Sequence, residues 1–341
     1  MTSGLVLGKF APLHKGHQLL IETALQENEH VIVMIYHSPE VTTIPLPVRA
    51  GWIKQLYPQI EIIEAWDGPM EVGDTPDIRL RHEQYLLKKL GTQAITNFYS
   101  SEFYGQHVSE ALGANDRRVD SKRTQIPVSA TVIRDNPFQN RKYLAPVVYQ
   151  DFITKVVFLG APSTGKTTLA RELANIHETV WMPEYGREYW EKHHSERRLT
   201  MEQMVEIAEV HRQRENAFIH QANRFLFVDT DATTTSMFSM AYHNQVHPRL
   251  AELASETKNR YDLFFLCGAE IPYDDTWDRS GDADRQVFQE QIKSDLLLRH
   301  LPFITLIGTL EERLNIVNNI LQNFDKYRPL GDQLLNWLPL N

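Results

Sequence analysis

The segment Gly160-Ala-Pro-Ser-Thr-Gly-Lys-Thr-Thr168 lies between an apolar run, Lys155-Val-Val-Phe-Leu159, and a good helix opening, Leu169-Ala-Arg-Glu-Leu-Ala174. Strand, glycine-bearing turn and helix in that order leave a chain few choices. Consecutive backbone N–H groups can curl around an anion only where glycine lets the chain turn tightly, and the helix that follows aims its positive end at the same spot. The segment therefore reads as a phosphate-binding loop at the end of a strand. Gly160 and Gly165 supply the turn, Lys166 reaches toward the outer phosphates, and the Thr167 hydroxyl is placed to hold Mg²⁺. Ser163, Thr164 and Thr168 complete the cradle.

Short apolar strands alternate with amphipathic helices along the whole chain, and the pattern runs through twice. In the first half, strands are predicted at 5–8, 31–36, 61–64 and 94–100, with helices at 17–28, 48–57 and 76–90. In the second half, strands are predicted at 155–160, 225–229, 263–267 and 303–307, with helices at 166–176, 200–222, 233–242, 284–300 and 310–324. That alternation implies an α/β protein with two Rossmann-like parallel sheets, each covered by helices on both faces. A length of 341 residues also exceeds one ordinary domain. Pro137, Pro146 and the polar Tyr149-Gln-Asp151 interrupt the pattern, which sets the domains at 1–150 and 151–341.

Charge enters as an exclusion. Lys and Arg number 35 against 44 Asp and Glu, a net charge of −9, which argues against a dedicated nucleic-acid binder. Anionic small molecules need only a local set of donors. The basic cluster Arg117-Arg118 with Lys122-Arg123 reads either as a solvated face or as part of a phosphate site. No apolar run is long enough to cross a bilayer, and the N-terminus lacks the basic-then-apolar pattern of a secretory signal. The single cysteine, Cys267, sits in the run Leu263-Phe-Phe-Leu-Cys267 and reads as a small buried hydrophobe. These features predict a cytoplasmic protein.

The first half carries its own constellation. Gly8-Lys-Phe-Ala-Pro-Leu-His14-Lys-Gly16-His17 follows the first strand and opens a helix. Helical metal pairs more often leave three residues between histidines and take a third ligand from elsewhere, so an anion site is the stronger reading. His14 and His17 would donate to phosphate oxygens near a helix N-terminus, and Gly16 would let a nucleotide approach the backbone. Lys9 and Lys15 read equally as phosphate neighbours or solvated lysines. Further on, Ser129-Ala-Thr131-Val-Ile-Arg134 places two hydroxyls and a guanidinium within about one and a half helical turns. Such a set suits outer phosphates, although Ser129 alone is as readily an N-cap.

Together these two motifs resemble the HxGH and ISxxxxR signatures of adenylyltransferases built on a Rossmann-like sheet. Joined to a phosphate-loop kinase, the chain resembles the NadR-type bifunctional family, from about residue 4 to about residue 325. Lys122-Arg-Thr124, Asn136-Pro-Phe138, Glu184-Tyr-Gly-Arg187 and Val228-Asp-Thr-Asp231 belong to the same resemblance. It implies that the first half joins nicotinamide mononucleotide to ATP, giving NAD and pyrophosphate. His14, His17 and Arg134 would then act at the reacting phosphates, with Ser129 and Thr131 on the outer ones. Gly8, Lys9, Phe10 and Gly16 complete that ATP site.

The second half, by the same resemblance, phosphorylates nicotinamide riboside with ATP and Mg²⁺. Lys166 serves the transferred phosphate. Asp229 and Asp231 end the strand 225–229, where Asp229 joins Thr167 at the metal and either carboxylate could take the hydroxyl proton. Glu184, Tyr185 and Arg187 line the nucleoside pocket, with Glu184 on ribose hydroxyls and Tyr185 on the cationic pyridine ring. Trp181 and Trp190 are further aromatic candidates. The polar segment 274–285 offers Arg279 and Arg285 as lid arginines.

Two departures from the family are visible. Some members begin with a DNA-binding helix-turn-helix, whereas this chain reaches its first strand almost at once, so no DNA partner is expected. Where members carry tryptophans after Gly73, this chain has Thr75-Pro-Asp-Ile-Arg79. Trp52, Trp66 or Phe103 then has to stack on nicotinamide, and Trp52 is the residue assigned to substrate. Two other readings accommodate the motifs: a nucleotide-sensing regulator with weak catalysis, and the same chemistries on another ribosyl or pantetheine compound. A homo-oligomer is compatible with all three.

Overall fold

The computed structural model describes residues 2–71, 73, 75–102, 104–194, 199–272, 282–329 and 331–333. The chain divides into two compact units, Met1–Tyr149 and Gln150–Asn341. In unit 1 the elements are β1 (Ser3–Gly8), α1 (Lys15–Glu27), β2 (His30–Tyr36), α2 (Leu46–Leu56), β3 (Glu61–Ala65), α3 (Pro76–Leu90), β4 (Asn97–Ser100), α4 (Gly105–Leu112), β5 (Asn115–Arg118), α5 (Ala130–Asp135), α6 (Pro137–Asn140) and α7 (Pro146–Tyr149). Its strands are all parallel, in the order β3-β2-β1-β4-β5. β1 and β2 are nearly continuous apolar runs because helices cover both faces. Leu5, Ile32, Met34 and Phe98 of the sheet pack with Leu86 and Leu90 of α3 on one side. The strand order reverses beside β1, and in open parallel sheets that switch point opens a crevice at the carboxyl end of the strand.

The basic cluster divides across a strand that composition did not suggest. Arg117 and Arg118 end the exposed edge strand β5. Arg117 is bonded to Glu27, and Arg118 lies 2.8 Å from Asp116. These pairings favour the solvated-face reading for both.

Unit 2 contains β6 (Thr154–Leu159), α8 (Lys166–Ile176), β7 (Trp181–Met182), α9 (Tyr185–His193), α10 (Met201–Ile219), β8 (Phe225–Asp229), α11 (Ala232–His243), α12 (Pro248–Ser255), β9 (Leu263–Cys267), α13 (Asp282–Leu298), β10 (Ile304–Leu306) and α14 (Leu310–Asn323). The sheet is again fully parallel, ordered β10-β9-β6-β8-β7. Phe158 stacks on Phe265 at 5.6 Å and on Phe227 at 6.2 Å, across three adjacent strands. Leu169 and Leu173 of α8 and Val317 and Leu321 of α14 close over them. Reciprocal capping boxes, Thr200 with Gln203 and Thr309 with Glu312, start α10 and α14. Cys267 lies inside this core, and burial pushes its thiol up to about 12, as befits a small hydrophobe. Among the described residues no helix is long and apolar enough to cross a membrane.

Candidate functional site

The loop after β1 is organised by its histidines. His14 is the N-cap of α1, and its Nδ1 accepts from the backbone N–H of Gly16 at 3.1 Å and of His17 at 3.4 Å. His17 Nδ1 in turn accepts from the His14 N–H at 3.4 Å. Two imidazoles thus form a reciprocal box usually made by a hydroxyl and a carboxylate. Their rings stack at 3.8 Å, and Phe10 meets His17 edge-on at 5.0 Å. Since Nδ1 is an acceptor in each ring, the neutral imidazole carries its proton on Nε2. Burial, helped by Arg123, holds His14 down at about 4, and burial and His14 hold His17 well below the usual histidine range. At neutral pH both rings are uncharged donors at the positive end of α1.

Gly16 serves this cap directly, because a Cβ there would lie 3.0 Å from the His14 ring. Gly8 ends β1, where a Cβ would meet the Phe10 ring at 3.1 Å. Arg134 arrives from far along the chain. Its Nη1 donates to the Ala11 carbonyl at 2.6 Å and its Nη2 to Thr131 Oγ1 at 3.1 Å. Ser129 Oγ accepts from the Val132 N–H at 3.3 Å, so it caps α5, and Thr131 is exposed beside it. The two motifs therefore meet. A residue that the sequence reading passed over helps hold them: buried Arg49 donates to the carbonyls of Lys9, Tyr36 and Ile44.

Of the aromatics expected to stack on nicotinamide, one needs correction and one stands aside. Trp52 is 1% exposed inside α2 and belongs to the core, not to a substrate surface. Trp66 is 53% exposed, donates to Glu64 and lies 5.3 Å from the His37 ring. Phe103 lies outside the described residues. The Lys9 ammonium is bonded to Glu40 at 2.7 Å, while Lys15 is simply exposed.

In unit 2 the phosphate loop has the expected form. Gly160 and Gly165 adopt φ of 143° and 83°, and a Cβ on Gly160 would press within 2.8 Å of the Cys267 carbonyl oxygen. Ser163 shares the left-handed region, and Thr164 Oγ1 ties back to the Ala161 carbonyl at 2.9 Å. Lys166 Nζ donates to the Gly160 and Ala161 carbonyls, both at 3.0 Å. Residues that sequence reasoning missed clamp the loop from behind. Gln289 accepts from the Ala161 N–H at 2.8 Å and donates to the Cys267 carbonyl at 2.9 Å. Arg313 donates to the Thr164 carbonyl at 2.7 Å and to Glu270 at 2.6 Å.

The paired aspartates turn out unlike. Asp229 is fully buried, and its Oδ2 accepts from the Thr167 hydroxyl at 2.5 Å. Its Oδ1 has no hydrogen-bond partner among the described residues. Burial, and then the charge of Glu184, raise Asp229 to about 6. Asp231 is instead the N-cap of α11, accepting from the Thr233 N–H at 3.0 Å and from the Thr257 hydroxyl at 2.7 Å. Thr230 between them takes φ of 65°, a costly conformation for a β-branched residue.

A cavity of about 730 Å³ opens over the loop. Lys166, Thr167, Thr168, Glu184 and Arg187 belong to its lining, together with Trp190, Ile207 and Phe238. Tyr185 is not part of that lining as expected, and the Arg214 guanidinium covers its ring at 4.1 Å. Trp181 packs against the core of the sheet. Arg285 is not on a loop: it is a buried residue in the first turn of α13, donating to the Ala269 carbonyl at 2.8 Å and to that of Ile271 at 3.1 Å. Arg279 lies outside the described residues.

Known proteins resemble this chain over most of its length. The AAA domain family model matches residues 155–313. The trifunctional NAD biosynthesis/regulator protein NadR of Escherichia coli (strain K12) is 31% identical over 325 residues, 89% of this chain and 78% of that protein. The protein of the same description from Salmonella typhimurium (strain LT2) is 31% identical over 323 residues, 88% of this chain and 78% of its own. A crystal structure of NadR protein in complex with NAD and AMP-PNP has a TM-score of 0.57 at 22% identity, covering 94% of this chain and 96% of that one, which shows a shared fold. Likeness across both units, added to that common fold, makes this chain a member of the NadR family.

Proposed function

We propose that the chain is a bifunctional enzyme of NAD salvage: unit 2 phosphorylates nicotinamide riboside, and unit 1 adenylylates the resulting mononucleotide to NAD. One observation carries the reading. A single NadR-family chain pairs a neutral histidine box at the end of β1 with a clamped phosphate loop at the end of β6.

In unit 1 a 5′-phosphate oxygen of nicotinamide mononucleotide attacks the α-phosphorus of ATP. The bond to the bridging oxygen breaks, and pyrophosphate leaves with the electron pair. A phosphate monoester is already a nucleophile, so the work is alignment and charge neutralisation. The Nε2–H groups of His14 and His17 donate to the polyphosphate oxygens at the start of α1. Arg134, fixed by Ala11 and Thr131, turns its remaining N–H donors to the outer phosphates, beside Ser129 and Thr131. With Trp52 buried, exposed Trp66 is the candidate among the described residues to cover the nicotinamide ring.

In unit 2 the riboside 5′-hydroxyl attacks the γ-phosphorus, the bond to the β,γ-bridging oxygen breaks, and ADP leaves with the electron pair. Lys166 exchanges its loop carbonyls for phosphate oxygens as ATP enters. Thr167 Oγ1 and the unpartnered Asp229 oxygen are hard donors that fit Mg²⁺, which would neutralise phosphate charge when bound. Asp231 is committed to its cap, so Glu184, in the cavity wall and close enough to raise Asp229, is the carboxylate assigned to the hydroxyl proton. Trp190 replaces Tyr185 as the aromatic facing the pyridinium. The one cysteine, buried and unbridged, suits the cytoplasm.

The test is direct. With ATP and Mg²⁺, NAD is expected from nicotinamide riboside and from nicotinamide mononucleotide. NAD from the mononucleotide alone removes the kinase assignment, and NAD from neither removes both.

A further inference from the structure

Among the described residues, Asp229 Oδ1, Thr230 Oγ1, Thr234 Oγ1 and His211 Nε2 are buried polar atoms without a hydrogen-bond partner. Buried polar atoms in folded proteins are nearly always paired, so a group of orphans needs an explanation. Metal binding accounts for Asp229. The other three residues all belong to the wall of the unit 2 cavity.

His211, 6% exposed, is the most informative. Its Nε2 is unpartnered, and on a neutral imidazole one ring nitrogen carries the proton while the other accepts. Burial holds the ring down at about 4, so it is neutral at physiological pH. The strained Thr230 belongs to the same wall. An uncharged ring beside unpartnered hydroxyls suits a neutral polar group such as an alcohol, which can donate to the ring nitrogen or accept from it.

Position then decides which group. Thr230 donates its N–H to the Phe158 carbonyl of β6 at 3.0 Å, so it lies beside the strand that feeds the phosphate loop. Thr234 is one turn into α11, whereas Phe238 and Tyr242 of the lining come one and two turns later, about 6 and 12 Å farther along the helix. On α10 the lining residues Ile207 and Met204 likewise recede from His211 by one and two turns. The apolar and aromatic lining suits the pyridine ring. The polar wall near the loop suits the sugar, whose 5′-hydroxyl must reach the γ-phosphate.

Building on the kinase assignment, we propose that His211, with the hydroxyls of Thr230 and Thr234, reads the vicinal diol of the ribosyl substrate: a ribose hydroxyl pairs with His211 Nε2. His211 is then a specificity-determining residue that makes the kinase prefer ribosides to deoxyribosides.

The experiment compares nicotinamide riboside with its 2′-deoxy and 3′-deoxy analogues, using wild-type protein, His211→Leu and His211→Gln. Wild type is expected to favour the riboside over at least one analogue by about 30-fold or more in kcat/KM. His211→Leu should raise KM for the riboside about tenfold or more, leave kcat within about threefold, and erase most of that preference. His211→Gln, which keeps a hydrogen-bonding group, should recover part of it. Adenylyl transfer from the mononucleotide in the same preparation reports that the chain is folded, and Thr234→Val, expected to weaken the preference less, substitutes if His211→Leu is insoluble. Equal use of ribo and deoxy substrates by wild type overturns the proposal. So does a loss in His211→Leu (or an unchanged preference in Thr234→Val where it stands in) that leaves the ratio of substrates untouched. Failure of wild type to phosphorylate the riboside overturns the kinase assignment instead.

Discussion

The two anion sites of this chain sit at equivalent places in similar sheets and are built from different parts. In unit 2 the cradle is backbone: Gly160, Ser163 and Gly165 take positive φ, and Gln289 and Arg313 hold the loop from outside. In unit 1 the donors are side chains, and the helix start that presents them also sets their tautomer. A backbone cradle depends on conformation and on clamps remote in sequence. An imidazole site depends on which nitrogen carries the proton, so here the cap and the chemistry share the same two rings.

The largest test of that contrast separates the units. Lys166→Ala should lower riboside phosphorylation by about 10³-fold or more and leave adenylyl transfer within about twofold. His17→Ala should do the reverse, by about 10²–10³-fold, in the same paired assays. Parallel loss of both activities in either variant would end the division of labour. Next, His14→Asn separates cap from donor. Asparagine caps helices well, so stability should stay within about 1 kcal/mol by denaturant unfolding while adenylyl transfer falls about 10²-fold. Full activity in this variant would show that the ring donates nothing.

Asp229→Asn probes the buried carboxylate. Its folded value, about 6, lies above the unfolded 3.8, so the native state binds the extra proton and stability falls as pH rises through that window. At pH 7 the ionised group is a cost, and Asp229→Asn should raise unfolding stability by about 1–3 kcal/mol while the kinase is lost. An unchanged midpoint would mean that the carboxylate is not desolvated. The smallest effect is expected for Gly16→Ala, whose methyl would crowd the His14 ring: about a five- to tenfold loss of adenylyl transfer, with the kinase unchanged.

Legibility followed the reach of each determinant. Residues 76–90, 166–176, 225–229 and 263–267 form the elements that the sequence reading places there, with Thr75 and Pro76 starting one and the glycine loop starting another. β7 has two residues and cannot show a period, and β5, Asn-Asp-Arg-Arg, is a charged edge that pairs through its backbone alone. α12 spans eight residues and escaped for a similar reason. Trp52 could have been placed, since Leu46, Arg49, Ala50 and Ile53 mark the buried stripe of its helix. Asp231, standing just before the helix-forming Ala-Thr-Thr, carried a capping signal beside its acidic one. Gln289 and Arg313 reach the loop across 128 and 149 positions, and nothing local to either residue announces it.

The histidine box has one more consequence. A second proton on either imidazole would have to sit on Nδ1, where it would confront a backbone N–H and unpick the first turn of α1. Approaching ATP therefore cannot draw these rings into becoming imidazolium cations without fraying the helix that orients them. The two rings therefore offer the leaving pyrophosphate dipoles only, and the full positive charge at the outer phosphates is left to Arg134.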